Sequence, residues 1–312
     1  MSPISFDGQA VIVTGAGAGL GRGYALELAR RGASVLVNDP GRAVDGTGGA
    51  QSVAQEVVDE ITAAGGTAAP SFTAVGTREA GEQIVAEALE AFGRLDAVIS
   101  NAGILRNRWF ADTSVDDWDA TINTHLAGTY WVAQAAYRHF VDAGGGRLVF
   151  ISSNSGIFGT VEQSAYASAK AAILGLVNCV AAEGAEHGVI VNAVLPIALT
   201  RMAGVRETPT EDLAAALGAV APRMVVEQVV PLAVYLASDA CTTSGSLYSA
   251  CGGRYARLVV GVGDGWLNRD DEPATADDLA AHWDEIGSTT GLVEPQSGHQ
   301  EIVLVADRLA AL

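Results

Sequence analysis

Lysine is almost missing from this chain. Of its 18 cationic side chains only Lys170 is a lysine, and all the others are arginine. Positive charge is scarce altogether, because 36 acidic residues leave a net charge of −18. That balance repels phosphate backbones and anionic lipid headgroups, so neither nucleic acid nor a membrane surface is an expected partner. Cysteine is scarce too: Cys179, Cys241 and Cys251 lack metal-ligand clustering and a disulfide framework. They read as small buried residues in a reducing compartment, and no metal site is expected. The N-terminus has no signal-peptide pattern and no apolar run looks long enough to span a bilayer, which points to the cytoplasm. Neither a tandem repeat nor a linker divides the 312 residues, so one large core is expected.

What is present is an alternation. Short Val/Ile/Leu-rich runs at 10–14, 34–38, 95–100, 147–152 and 189–194 are interleaved with helical periodicity at 19–31, 51–64, 78–92, 115–142, 164–187 and 227–238. The pattern predicts a single-domain α/β fold, a Rossmann-type doubly wound parallel sheet covered on both faces. Ser114 followed by Asp117 marks a capping box at the fourth helix. Two stretches break the pattern, a glycine-rich loop at 42–50 and a long excursion at 197–225. Ligands bind beyond the carboxyl ends of strands in such sheets, so both stretches should border the site. The fold is expected to occupy 1–264, including the 197–225 loop, with an acidic C-terminal extension at 265–312 carrying a helix at 275–286.

Thr14-Gly-Ala-Gly-Ala-Gly-Leu-Gly21 follows the first strand and opens a helix. Glycine there lets the backbone approach a pyrophosphate, and the helix N-terminus favours its charge. Asp39 ends the second strand, about where a carboxylate can accept both ribose hydroxyls of a dinucleotide. The same carboxylate would repel a 2′-phosphate and Ala18 offers no compensating cation, which favours NAD; Arg42 is the one feature that softens this preference.

Lys170 stands four residues after Tyr166. On a helix these two share a face, and an ammonium is a compact charge able to lower a neighbouring phenol's pKa. A lone lysine placed at random would fall in this relation to one of seven tyrosines roughly 2% of the time by composition. Phenol with a pKa near ~10 is a poor base at neutral pH, so such a pair suits proton transfer to or from a carbinol. Ser153, thirteen residues earlier at the end of the fifth strand, could hold the substrate oxygen, with Ser152 and Ser155 as rivals. Asn123, mid-helix where asparagine is not favoured, marks a bend that could free a carbonyl for a proton-relay water.

Together the glycine run, Asn101-Ala-Gly103, Asn123, Ser153 and Tyr166-x-x-x-Lys170 resemble the short-chain dehydrogenase/reductase superfamily over nearly the whole chain. The resemblance implies that Tyr166 is the general acid/base and that Lys170 holds the nicotinamide ribose and depresses the tyrosine pKa. It likewise implies that Ser153 orients the substrate oxygen and Asn123 supports a relay. Gly15, Gly19, Leu20, Gly21, Asp39, Asn101, Ala102, Gly103, Pro196 and Thr200 would contact NAD. Residues 6–25, Val37-Asn-Asp39, Asn101 to Arg106, Trp118 and 246–266 narrow the likeness to the (3R)-hydroxyacyl-CoA dehydrogenase unit of peroxisomal multifunctional enzyme type 2, also called 17β-hydroxysteroid dehydrogenase type 4. No hydratase or sterol-carrier segment is present, so a stand-alone dehydrogenase is expected, acting on an acyl-CoA thioester as a homodimer or homotetramer. Arg106, Arg108, Arg201 and Arg206 are the cations available to CoA phosphates. Two other readings remain: a dehydrogenase of a free secondary alcohol such as a 17β-hydroxysteroid, and a non-catalytic dinucleotide-binding protein. Ser100, Ile197 and Thr73 depart from the usual pattern and leave the proton-transfer set untouched.

Overall fold

The computed structural model describes residues 3–48, 52–199, 211–270, 272–295 and 298–310. The chain falls into two compact units, 1–257 and 258–312, a break upstream of the 264/265 boundary expected from composition. The strands are β1 (Ala10–Thr14), β2 (Ser34–Asn38), β3 (Thr67–Ser71), β4 (Ala97–Ser100), β5 (Gly146–Ile151), β6 (Val189–Ile197) and β7 (Ser246–Cys251) in the first unit, and β8 (Arg254–Leu258), which ends at the boundary. They form one sheet in the order β3-β2-β1-β4-β5-β6-β7-β8, with parallel pairing from β3 through β7. Gly252 and Gly253, both at positive φ, turn the chain from β7 into β8. Every residue of β1 and β4 is buried, as a sheet covered on both faces requires. The fold is therefore the predicted Rossmann-type α/β sheet.

The helices of the first unit are α1 (Gly19–Arg30), α2 (Ser52–Ala63), α3 (Arg78–Phe92), α4 (Val115–Ile122), α5 (Gly128–Ala143), α6 (Ser155–Phe158), α7 (Ser164–Gly184), α8 (Glu211–Val220) and α9 (Val230–Ala237). Phe6, Tyr24, Leu28, Val35, Ile61 and Ile99 are among the apolar side chains that close the core around β1 and β2. The Thr77 hydroxyl caps α3 and Gly93 ends it in the left-handed region. Ser114 caps α4 by accepting from the Asp117 amide, while its hydroxyl donates to the Asp117 carboxylate. The single helix expected at 115–142 is interrupted: Asn123–Ala127 forms a π-helical turn, which re-aims the side chains within it.

By length and composition the stretch Ser164–His187 is apolar enough to cross a bilayer, correcting the expectation that no run is. Here it lies on the sheet, with Ala165, Ala169, Lys170, Ile173, Val177 and Ala181 turned into the core. The second unit holds α10 (Ala276–Ala281), α11 (Trp283–Ile286) and α12 (Gln300–Ala310). Thr275 and Asp278 make a reciprocal capping box at the start of α10.

Candidate active site

The strand order reverses beside β1, which has β2 on one side and β4 on the other. Beyond their carboxyl ends lies a cleft of about 730 Å³, lined by Gly15, Ala18, Gly19, Leu20, Asp39, Asn101, Ala102, Gly103 and Asn123 among others. Gly15 adopts φ +63°, and a Cβ on it would stand 2.8 Å from the Ala102 Cα. A Cβ on Gly17 would press on the Asp39 carboxylate at 2.8 Å. Side chains are thus excluded at Gly15 and Gly17, and no side chain caps the N-terminus of α1, whose first residues Gly19 and Leu20 line the cleft. Such a cradle fits the pyrophosphate of a dinucleotide. The Asp39 carboxylate accepts from the Gly17 amide at 2.9 Å and the Gly41 amide at 2.7 Å, which fixes it at the rim with acceptor capacity to spare. Gly21 packs beneath the turn, against the Gly15 carbonyl, rather than lining the cleft.

Asn101 braces this end. Its amide Nδ2 donates to the Thr14 and Gly15 carbonyls at 3.0 and 3.1 Å, and the Thr14 hydroxyl accepts from the Asn101 and Ala102 amides. The glycine-rich loop closes one side. Val44 accepts from the Leu105 amide, and the Asp45 carbonyl accepts from Arg106 Nε at 2.8 Å. Arg42, lining the cleft, donates to the Gly46 carbonyl. Arg106 also pairs with Asp116, and Arg108 with Asp117, so the two described cations expected to serve a phosphate already have carboxylate partners. Arg201, Arg206 and Thr200 lie outside the described residues. Pro196 sits in β6 opposite Ala250, and Leu199 reaches the cleft a few residues beyond.

At the end of β5, the three serines separate by their partners. Ser152 donates to the Lys170 carbonyl at 2.8 Å, and Ser155 is held by Thr160 and Gln163. Ser153 accepts from the Ser155 amide, and it is the serine whose hydroxyl draws the Tyr166 pKa down, while burial, the stronger influence, pushes it up. Lys170, 3% exposed, donates to the Ile151 carbonyl at 2.6 Å and lies 5.8 Å from the Tyr166 ring centroid. Burial lowers its pKa to about 7. Desolvation therefore dominates both groups and favours their uncharged forms, in place of the simple lowering of Tyr166 by Lys170 that the sequence suggested. Asn123 opens the π-helical turn. Its carbonyl accepts from the Gly128 amide, five residues on, so α-helical bonding breaks at this residue, although that carbonyl is engaged and not freed as the sequence suggested.

His125 was not legible as a site residue. It is buried against Tyr166, with ring centroids 5.0 Å apart, and burial lowers its pKa to about 3. A histidine two positions after Asn123 falls on the opposite side of the helix, so nothing in the spacing joins it to the site; its approach to Tyr166 is tertiary.

The sign of the Lys170 shift gives a test. The unfolded amine keeps its ordinary pKa of 10.5 while the folded one titrates near 7, so between these values the unfolded chain binds a proton that the folded protein has released. Stability must then rise with pH across that window, and the cost of the buried charge is fully present below it. Thermal denaturation of the cofactor-free protein between about pH 7 and about pH 9 should show a rising Tm, and Lys170→Met should flatten that slope. A slope unchanged by the substitution would place the titration elsewhere.

The profile of the short chain dehydrogenase family matches residues 9–211. The chain belongs to the short-chain dehydrogenase family. This short-chain dehydrogenase is 41% identical over 283 residues to a short-chain type dehydrogenase/reductase of Mycobacterium tuberculosis, covering 91% of this chain and 95% of that one. It is 39% identical to the peroxisomal multifunctional enzyme type 2 of Mus musculus over 95% of its own length and 39% of the mouse protein's. Full-length peroxisomal multifunctional enzyme type 2 from Drosophila melanogaster superposes with a TM-score of 0.79 at 29% identity, over 99% of this chain and 51% of that structure. The protein is thus an oxidoreductase of this family, and its likeness to the type 2 multifunctional enzymes extends from sequence to fold.

Proposed function

We propose that the protein is an NAD-dependent dehydrogenase that interconverts a (3R)-3-hydroxyacyl-CoA and the 3-oxoacyl-CoA, with room for a bulky or steroid-derived acyl group. The observation that carries this reading is the grouping of Ser153, Tyr166 and Lys170, with Tyr166 packed on His125, which in turn abuts the Gly103–Ile104 wall of the cleft whose rim holds the Asp39 carboxylate. NAD, bound along the cleft, supplies the hydride acceptor. Tyr166 removes the hydroxyl proton at its phenolic oxygen, Ser153 orients the same substrate oxygen, and Lys170 grips the cofactor ribose and steadies the phenolate. The π-helical turn at Asn123 supports passage of the proton to solvent. Asp39 holds the ribose hydroxyls; Gly15, Gly19, Leu20, Asn101, Ala102, Gly103, Pro196 and Thr200 complete the cofactor contacts, and Gly21 supports the turn from beneath. A thioester suits the site because binding energy from the remote CoA can position the reacting carbon.

A second reading keeps the chemistry and changes the substrate to a free secondary alcohol such as a 17β-hydroxysteroid. One observation favours it: Arg106 and Arg108 are engaged by Asp116 and Asp117, which leaves CoA phosphates without them. Steady-state assays with NAD should offer (3R)- and (3S)-hydroxyacyl-CoA of several lengths, steroid-derived CoA thioesters and the matching alcohols. The thioester reading expects the highest kcat/KM on a (3R)-thioester. Higher values on free alcohols, or preference for the (3S) series, would replace it with the alternative.

The protein should work as a homodimer or homotetramer. On α7 the side turned from the core carries Ser168, Ala172, Gly175, Cys179 and Ala182, all exposed, and a Cβ on Gly175 would meet nothing within 4 Å. Small side chains there let a second copy approach closely. Light scattering at micromolar concentration should give a multimer for the native protein and a smaller mass for Ala172→Arg. A native monomer contradicts the assignment. Three unpaired cysteines suit a reducing compartment, and we place the protein in the cytoplasm.

A further inference from the structure

His125 makes contacts that the reaction as described does not use. It is 1% exposed, carried inward by the π-helical turn. Its Nε2 lies 2.7 Å from the Ile104 carbonyl oxygen and 3.1 Å from the Ile104 amide nitrogen. One ring nitrogen cannot donate and accept at once. The shorter contact assigns the proton to Nε2, which donates to the carbonyl and leaves Nδ1 a buried acceptor with no partner. An unpaired acceptor in the interior is unfavourable, so folding stability alone does not explain an imidazole here. The ring also stands perpendicular to Tyr166, at an interplanar angle of 89° with centroids 5.0 Å apart. Its Cε1 lies so close to Gly103 that a Cβ on that residue would collide with it. Gly103 and Ile104 both line the cleft. A single rigid ring therefore touches the phenol on one side and the cleft wall on the other.

We infer that His125 is a positioning residue for the reaction, registering the Tyr166 ring against the Gly103–Ile104 wall of the cleft. This rests on the assignment of Tyr166 as the acid/base. The ring does so uncharged, because burial and the nearby Lys170 both disfavour its protonated form. A π-helical turn is the local device that makes the contact available, since one extra residue in the turn swings this side chain inward. Misplacement of a reacting group by about 1 Å can cost on the order of a hundredfold in rate, so loss of this register should appear in kcat.

The test compares His125→Ala, His125→Asn and Tyr166→Phe with the native protein, each at saturating NAD and across pH. Asparagine can still donate to the Ile104 carbonyl but presents no ring to the phenol; alanine offers neither. His125→Ala should lose about tenfold or more in kcat, with NAD binding by fluorescence titration little changed. Its kcat/KM profile should move to lower pH as water reaches the phenol that burial had pushed up. His125→Asn should recover part of the loss. If Tyr166→Phe is inactive while both His125 variants keep native kcat and pH profiles, this inference falls and the acid/base assignment stands. If the loss in both variants follows only the folded fraction, with an unmoved pH profile, the role is structural and the inference falls as well. Native activity in Tyr166→Phe would instead remove the reading on which it depends.

Discussion

Tyr166→Phe is expected to lower kcat by about 10²- to 10⁴-fold, the usual contribution of a positioned proton carrier. The substitution deletes one oxygen and leaves the ring, so packing against His125 survives and the loss belongs to chemistry. The Ser153 hydroxyl would keep its place at the end of β5, able to bind a ketone but with no partner to complete the transfer. Lys170→Arg should be damaging for a different reason. The ammonium is buried and bonded to the Ile151 carbonyl at 2.6 Å, and a planar guanidinium cannot occupy that space or shed its charge there. Steady-state rates with NAD and a secondary alcohol, alongside a thermal melt to confirm folding, check both. A Tyr166→Phe enzyme within tenfold of native would move the proton carrier elsewhere.

The second large effect is cofactor choice. Asp39 is fixed at the cleft rim by two backbone amides and cannot swing away from a 2′-phosphate. At an effective dielectric near ~20, like unit charges about 5 Å apart repel by about 3 kcal/mol, which is more than a hundredfold in kcat/KM. Native protein should therefore prefer NAD over NADP by at least that order. Asp39→Ala should narrow the gap from both sides, losing ribose contacts to NAD while admitting the phosphate. Arg42 is the cation placed to help NADP in that variant, although in the native protein it donates to the Gly46 carbonyl. Equal kcat/KM for the two cofactors in the native enzyme would end this role for Asp39.

Much of the fold was legible because buried parallel strands write themselves as continuous apolar runs. The runs at 10–14 and 34–38 coincide with β1 and β2, and the period at 78–92 coincides with α3. What escaped has physical reasons. β3 reads Thr-Ala-Ala-Pro-Ser, a poor strand by propensity, and it persists because β2 pairs it at the sheet edge where Pro70 is tolerated. β7 and β8 carry serine and arginine, and α6 is a single turn. The site followed the same division. Tyr166 and Lys170 announced themselves by spacing along one helix, and the glycine turn by its place after β1. His125 did not, since its approach to Tyr166 depends on a π-helical turn and on tertiary packing from Ile104. The choice among Ser152, Ser153 and Ser155 also needed coordinates, because only their hydrogen-bond partners distinguish them.

The central claim is that a hydride passes from the carbinol carbon of a (3R)-hydroxyacyl thioester to NAD at the Ser153, Tyr166 and Lys170 site. Supplying that substrate with deuterium on the carbinol carbon tests it most directly. Deuterium should appear in the reduced nicotinamide with a slowed turnover, and its transfer in the Tyr166→Phe enzyme should be slower by about 10²- to 10⁴-fold. Tight NAD binding with no label transferred from this thioester in either configuration would contradict the account.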